Sequence, residues 1–291
     1  MIKLIVDSTT DLPQTYFEKY QIEIIPLIVN VNGVSFRDGI DISLDEVYQE
    51  MRKGSKIKTS QPNIQDVYDI LEKHLQNKDD IIIITISSKL SGTYQTITLV
   101  KNQLLVDYPD AKITVIDSRG GSGVAGLMAL QGAYMIEEGF SYDEVVANLI
   151  ELSQNAEHIF TLDDLTYLFQ GGRLTKAAAM LGNLLRVKPI LDVQDGQIHL
   201  FDKVRHMRKA LQYIANLVEE RIRDFPDQII GIMHGDDIEL AYELRDLIVE
   251  RIGEKLFILD QIGSALGSHL GIRGVGVFFF NKKPHYYRNE L

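Results

Sequence analysis

Residues 81–86 are isoleucine or threonine without interruption, and they leave the chain little choice of structure. Consecutive β-branched side chains favour extended backbone, and an apolar run with no polar alternation has no face to give to water. It fits a strand buried on both faces, as in a parallel sheet. Ser87, Ser88, Ser91, Gly92 and Thr93 follow, and then Ile97, Val100 and Leu104 recur at helical spacing. Strand, small polar turn and helix in that order aim free backbone N–H groups and a positive dipole end at the space above the strand. Ser91 and Thr93 add hydroxyl donors. The stretch reads as a cradle for a small anion, since the phosphate-loop pattern G-x-x-x-x-G-K-S/T is absent; serines that only cap a helix are the alternative.

A chain of 291 residues suits about two domains. It contains no cysteine, which excludes disulfides, thiolate metal sites and thiol nucleophiles. The opening MIKLIVDSTTD turns polar too soon for a secretory signal, and no apolar run approaches the roughly 20 residues of a membrane helix, so a soluble cytoplasmic protein is expected. A net charge of −11 argues against a general nucleic-acid binder. One segment runs the other way: from Arg173 to Lys209 there are eight lysines and arginines against three aspartates, a local +5.

Strand and helix signals alternate through the first half. Residues 2–7 form a strand ending at Asp7-Ser8, Pro13 suits a helix start, and 23–36 is strand-like around the hairpin signal Asn32-Gly33. Ser43-Leu44-Asp45-Glu46 and Ser141-Tyr142-Asp143-Glu144 are capping boxes. Lys58-Thr59-Ser60-Gln61-Pro62-Asn63 places hydroxyls before a second helix start, and 111–117 is a further strand ending at Asp117-Ser118. The helix after Gly123 is apolar nearly all round; it is expected to be buried, with part of its surface available to line an apolar channel. Three strand ends, Asp7-Ser8, Ser87-Ser88 and Asp117-Ser118, would then offer polar groups to one crevice.

The pattern changes near residue 157. A strand, a helix over 163–170, the turn Gly171-Gly172-Arg173 and a helix through Leu185 precede a hairpin at Asp195-Gly196. A long helix follows over 205–223, then a strand ending at His234, a helix to Ile252, a strand at 256–261, a glycine-punctuated helix over 262–271 and a closing strand. The expected architecture is α/β in two domains. Residues 1–156 would form a three-layer α/β/α unit with a mainly parallel sheet, and 157–291 an α+β unit with a mixed sheet.

Seven separated motifs carry a family resemblance: DSTTDL at the start, KTSQP at 58–62, SSKLSGTYQT at 87–96, YLFQGGRL at 167–174, KPIL at 188–191, the Lys203-x-Arg205 pair and IGSALGSHLG at 262–271. In this order they resemble the DegV family. The resemblance implies a long-chain fatty acid such as palmitate, stearate or oleate held between the two domains. It also implies a non-catalytic subunit that presents the carboxylate to a separate ATP-binding, dihydroxyacetone-kinase-like subunit, which makes acyl phosphate for phospholipid synthesis. Transient contact with a membrane surface fits such a role. By residue, the resemblance places the carboxylate on Thr59, Ser60, Ser91, Gly92, Thr93 and His269, and gives Arg173 to the kinase subunit, with no metal. The chain departs from the family pattern at Gly271-Ile272-Arg273-Gly274, beside His269, and at Ser122-Gly123-Val124-Ala125-Gly126.

Magnitudes divide the labour. A 16-carbon tail contributes on the order of 12 kcal/mol at about 0.8 kcal/mol per CH₂. A charge-assisted hydrogen bond nets only about 1.5–3 kcal/mol. The tail would supply affinity and the head would be oriented. Two other functions use the same residues. One is a serine hydrolase or acyltransferase with Ser91 as nucleophile and His269 as base, although no G-x-S-x-G elbow is present. The other is a kinase subunit binding a small carbonyl compound, which needs no tunnel.

Arg173 follows a glycine pair suited to a tight turn, so its side chain is expected to be exposed and to reach outward; capping the preceding helix is the alternative. His234 is read as structural, His158, His199 and His206 lack metal-ligand spacing, and Asp117 reads as a strand end that caps a turn.

Overall fold

The computed structural model describes residues 1–163, 165–174 and 187–291. The helix expected to run through Leu185 therefore lies largely outside the described residues.

In chain order the elements are β1 (Ile2–Asp7), α1 (Gln14–Lys19), β2 (Glu23–Ile25), β3 (Ile28–Val31), β4 (Val34–Arg37), α2 (Leu44–Arg52), β5 (Ile57–Ser60) and α3 (Ile64–Gln76). Then come β6 (Asp80–Thr85), α4 (Thr93–Asp107), β7 (Ile113–Asp117), α5 (Gly123–Glu137) and α6 (Tyr142–Gln154). The remainder is β8 (Ala156–Thr161), α7 (Thr166–Gly171), β9 (Lys188–Gln194), β10 (Gln197–Val204), α8 (Met207–Arg221), β11 (Ile229–His234), α9 (Ile238–Ile252), β12 (Leu256–Gln261), α10 (Ser264–Leu270) and β13 (Val275–Phe280).

The isoleucine run is the centre of a parallel sheet with strand order β2-β1-β6-β7. Because side chains alternate along a strand, Ile82 and Ile84 enter one hydrophobic cluster with α5, while Ile81 and Ile83 enter another with α3 and α4. Both faces are buried, and an uninterrupted apolar run satisfies them where an alternating pattern would not. Ser43 and Ser141 each close a complete capping box with the glutamate three residues on. Asn32-Gly33 and Asp195-Gly196 both have positive φ at the two turn positions, and each closes a two-residue hairpin.

The strand-like stretch 23–36 divides at Pro26. β2 belongs to the parallel sheet, whereas β3 and β4 form a separate antiparallel sheet with β5, in the order β4-β3-β5. Proline lacks the N–H needed to continue a ladder, and the chain changes sheets there. β5 corrects the sequence reading. Thr59 and Ser60 do not front a helix; they lie on a strand, and α3 starts later with Asn63 accepting from Gln65 N.

The second large sheet is mixed, in the order β10-β9-β8-β13-β11-β12, with only β11 and β12 parallel. α8 and α9 cover one face. The other face presents Met233, Phe278 and Phe280 to α5, whose other side meets Leu4, Val6, Ile82 and Ile84 of the parallel sheet. α5 is buried from Gly123 to Met135 because sheets flank it on two sides. Residues 285–290 return to the same region: Gln131 and Arg288 exchange hydrogen bonds through Gln131 Nε2–Arg288 O and Arg288 N–Gln131 Oε1, and Tyr134 donates to Glu290 O. Among the described residues, no helix is long and apolar enough to cross a membrane.

Candidate functional site

The serine-rich turn after β6 is pinned before it reaches any ligand. Ser87 is fully buried; its hydroxyl donates to Gly196 O at 2.7 Å and accepts from Lys89 N. The strand-end polar groups behave likewise. Asp7 accepts from Thr9 and from Ile86 N, Ser8 donates to Asp38, and Asp117 accepts from Ser88 N and Arg119 N. These groups hold loops in place instead of offering donors to a crevice. The capping reading of Asp117 fits its two backbone bonds. The residues that reach open space lie one step beyond the strand ends.

Thr9, Thr59, Ser60, Ser91, Arg173 and His269 border a cavity lined elsewhere by apolar side chains including Leu90, Leu168, Ile198 and Leu266. Five segments converge there: the loop after β1 carries Thr9, β5 carries Thr59 and Ser60, the β6–α4 turn carries Ser91, α10 carries His269, and the turn after α7 carries Arg173. Tyr48 on α2 fixes the start of α10 by donating to Ile262 O at 2.9 Å. Thr59 Oγ1 lies 2.7 Å from His269 Nε2. Burial, and then the Arg173 charge, lower the His269 pKa to about 4, so the ring is neutral at pH 7. Its other side is packed against backbone: a Cβ on Gly171 would fall 2.2 Å from His269 Nδ1.

Two expected site residues stand behind the wall. Thr93 is fully buried, its hydroxyl 2.8 Å from Ser91 Oγ, and its N–H donates to that same oxygen. Gly92 lies under Gln61, whose Oε1 occupies the place a Cβ would take. Both position Ser91 without lining the cavity. Arg173 differs more. Its side chain is half-buried and turned inward, with Nε donating to Leu90 O at 3.0 Å and a terminal nitrogen to Gly171 O. The expectation of a free, outward arginine is corrected: two carbonyls left open by a helix end and a turn hold the guanidinium beside His269.

Leu90, Ile198, Leu266 and Leu270 form a neck shared with a second compartment, the inner one. Its walls are almost wholly apolar, among them Phe160, Leu162, Val193, Val275 and Phe278. Gly274 and Gly276 leave a trough on the mixed sheet: a Cβ on Gly276 would stand 2.9 Å from Phe160 Cβ. The loop 120–122 borders this compartment, whereas α5 itself does not. The expectation that α5 faces a channel is therefore corrected; its surface is used up by two sheets. On the outer side, Thr59, Arg173 and His269 also border an open cleft with Lys56, Lys58, Tyr167 and Gln170. The polar cluster thus stands between a cleft and an apolar compartment. Among the described residues, no group of three or more histidine, aspartate or glutamate side chains could hold a metal ion.

Comparison with known proteins shows the family. A profile of the DegV family, described as uncharacterised proteins, matches residues 1–282. A DegV domain-containing protein of Caldanaerobacter subterraneus is 34% identical over 97% of this chain and 99% of its own. Among solved structures, a stearic-acid-binding protein from Eubacterium ventriosum superposes with a TM-score of 0.87 at 30% identity, covering 96% of this chain and 97% of the other. The fatty-acid-binding DegV protein of Bacillus subtilis superposes at 0.83 with 29% identity, covering 96% and 99%. With the family profile matched over residues 1–282 and a relative 34% identical over 97% of its length, the chain belongs to the DegV family.

Proposed function

We propose that this protein binds one long-chain fatty acid, such as palmitate, stearate or oleate, and presents its carboxylate to a separate ATP-binding kinase subunit that converts it to acyl phosphate for phospholipid synthesis. The protein itself is then a non-catalytic, cytoplasmic subunit made of two units, 1–156 and 157–291, with the acyl chain in the cavity that residues of both border. The observation that carries the reading is the segregation of polarity along the cavity: hydroxyls, an imidazole and a guanidinium at one end, hydrocarbon beyond the neck. An acid with a long tail matches both ends at once, and a small carbonyl compound would leave the inner compartment unused.

Thr59, Ser60, Ser91 and His269 are the proposed carboxylate ligands, with Gly92 and Thr93 holding Ser91. A neutral His269 and hydroxyls orient the carboxylate, with the Arg173 guanidinium beside them held by its two carbonyl bonds, and an oxygen is left to attack a phosphate brought into the outer cleft. The hydrolase alternative is less well supported. Among the described residues Ser91 hydrogen-bonds Thr93 and His269 contacts Thr59, so no nucleophile–base pair is assembled. A histidine lowered to about 4 is also a weak base at neutral pH.

Native mass spectrometry of protein purified without detergent should find one long-chain fatty acid per chain. Protein that carries none, and takes up none after solvent extraction, defeats the carrier reading. Arg173 borders the outer cleft and remains the proposed contact for the kinase subunit. Arg173→Ala, lipid-loaded, should need more kinase subunit for half-maximal acyl phosphate formation; an unchanged half-maximum would leave Arg173 only its two carbonyl bonds.

A further inference from the structure

Alternation along β8 sends His158 and Phe160 into the inner compartment, while Ile159 packs in the opposite cluster under α8 and α9. His158 is therefore a polar ring at the hydrocarbon end of the cavity, and it is 97% buried, being only 3% exposed. The ring is held firmly. Phe278 meets it edge-on at 5.7 Å, and the 120–121 backbone comes down upon it, so that a Cβ on Gly120 would lie 1.7 Å from Nε2. Gly121 N donates to Nε2 at 3.4 Å. With Nε2 accepting, the proton of the neutral ring sits on Nδ1. That N–H has no acceptor among the described residues.

A buried donor without an acceptor destabilises a fold that phenylalanine or leucine would fill at no such cost. His158 borders the inner compartment, so an occupant of that compartment is the group that can supply the missing acceptor. Resting on the reading that this cavity holds a fatty acid, we propose that His158 Nδ1 is a subsite for an oxygen on the acyl chain, so that the protein prefers hydroxy or oxo fatty acids to unsubstituted ones. The neck lies between this donor and the carboxylate cluster, which places the oxygen in the distal half of the chain. Discrimination of this kind is strong because an unsubstituted chain leaves the donor unpaired, whereas a purely apolar wall tells oxygenated from plain chains weakly.

The test is competition binding with lipid-stripped protein, using stearate and a series of monohydroxystearates that differ in hydroxyl position. At least one isomer substituted in the distal half should bind about tenfold more tightly than stearate. His158→Phe should remove that preference while holding stearate within about threefold of wild type. The wild-type ranking decides the question by itself if the variant does not fold. The subsite is overturned if every isomer binds no better than stearate, as expected were a buried water the partner of Nδ1, or if His158→Phe keeps the ranking. Stearate binding with no positional preference defeats the subsite and leaves the carrier reading standing; failure of all the acids to bind defeats both.

Discussion

One end of the cavity carries a fully buried imidazole and the other a half-buried one, and the pair shows what desolvation does and does not decide. Burial lowers the pKa of His269 to about 4 and that of His158 to about 3, so both rings are neutral at pH 7. Their neighbours differ. His269 has a hydroxyl at 2.7 Å, a guanidinium nearby and an open cleft outside. His158 has Phe278, a backbone amide and hydrocarbon. A depressed pKa therefore marks desolvation at both ends without distinguishing their roles; the surrounding donors and the access to solvent distinguish them.

Connecting the two ends is what the proposed function requires, so the largest effect should come from cutting the neck. Leu266→Asp places a charge where both compartments meet, and it should lower fatty acid affinity by at least about a hundredfold, since an unpaired buried charge costs several kcal/mol. Calorimetric titration with oleate against the variant checks this, and near-normal affinity would mean that the compartments do not work as one tunnel. Next in size, His269→Ala should reduce acyl phosphate formation in the coupled kinase assay by about a hundredfold while fatty acid affinity falls less than about tenfold, because the tail supplies most of the binding. The reverse pattern, weak binding with normal turnover, would remove His269 from the head group.

The third prediction uses acid. His158 binds a proton more readily in the unfolded chain, with an ordinary pKa of 6.5, than in the fold at about 3. Its contribution to stability is thus present above 6.5 and is lost as pH falls towards 3; His269 acts in the same direction between 6.5 and about 4. Asp11 opposes them. Burial raises its pKa from 3.8 to about 8, so its contribution is present below 3.8 and is lost as pH rises through 8. Urea unfolding should give a shallower acid slope for His158→Phe than for wild type, and a shallower loss above neutrality for Asp11→Asn. Parallel curves for His158→Phe and wild type would mean that the ring is solvated. The smallest effect is expected of Thr59→Val, which removes one of several head-group hydroxyls and should weaken oleate binding by about threefold to tenfold.

Much of this arrangement was legible in the sequence wherever a local rule governs it. Uninterrupted isoleucine at 81–84 required two buried faces, Asn32-Gly33 and Asp195-Gly196 supplied the turn φ values, and Ser43 and Ser141 closed their boxes. Features set by distant partners were not legible. β5 is four residues long with alternate residues exposed, and it becomes a strand only because β3 pairs with it. The inward turn of Arg173 depends on Leu90 O, 83 residues away in the chain. α5 is apolar enough for a channel wall, and only the arrival of Phe278 and Phe280 on its second side makes it core. His158 looked idle because nothing in its own neighbourhood of sequence reveals that Gly121 takes up one ring nitrogen and leaves the other.

The return of residues 285–290 to α5 bears on the order in which a nascent chain can fold. The amides and carbonyls that receive Gln131 and Tyr134 belong to residues more than 150 positions later, and His285 N and Tyr286 N likewise seek Glu151 and Asn148 on α6. During translation the parallel sheet can assemble while α5 still exposes the surface that β11, β13 and this returning segment will cover. At about 5–20 residues per second, the roughly 150 residues between α5 and its last partners take many seconds to emerge. For that interval the most apolar helix among the described residues is an exposed ribbon, a natural target for a ribosome-associated chaperone and a point at which slowed synthesis favours aggregation.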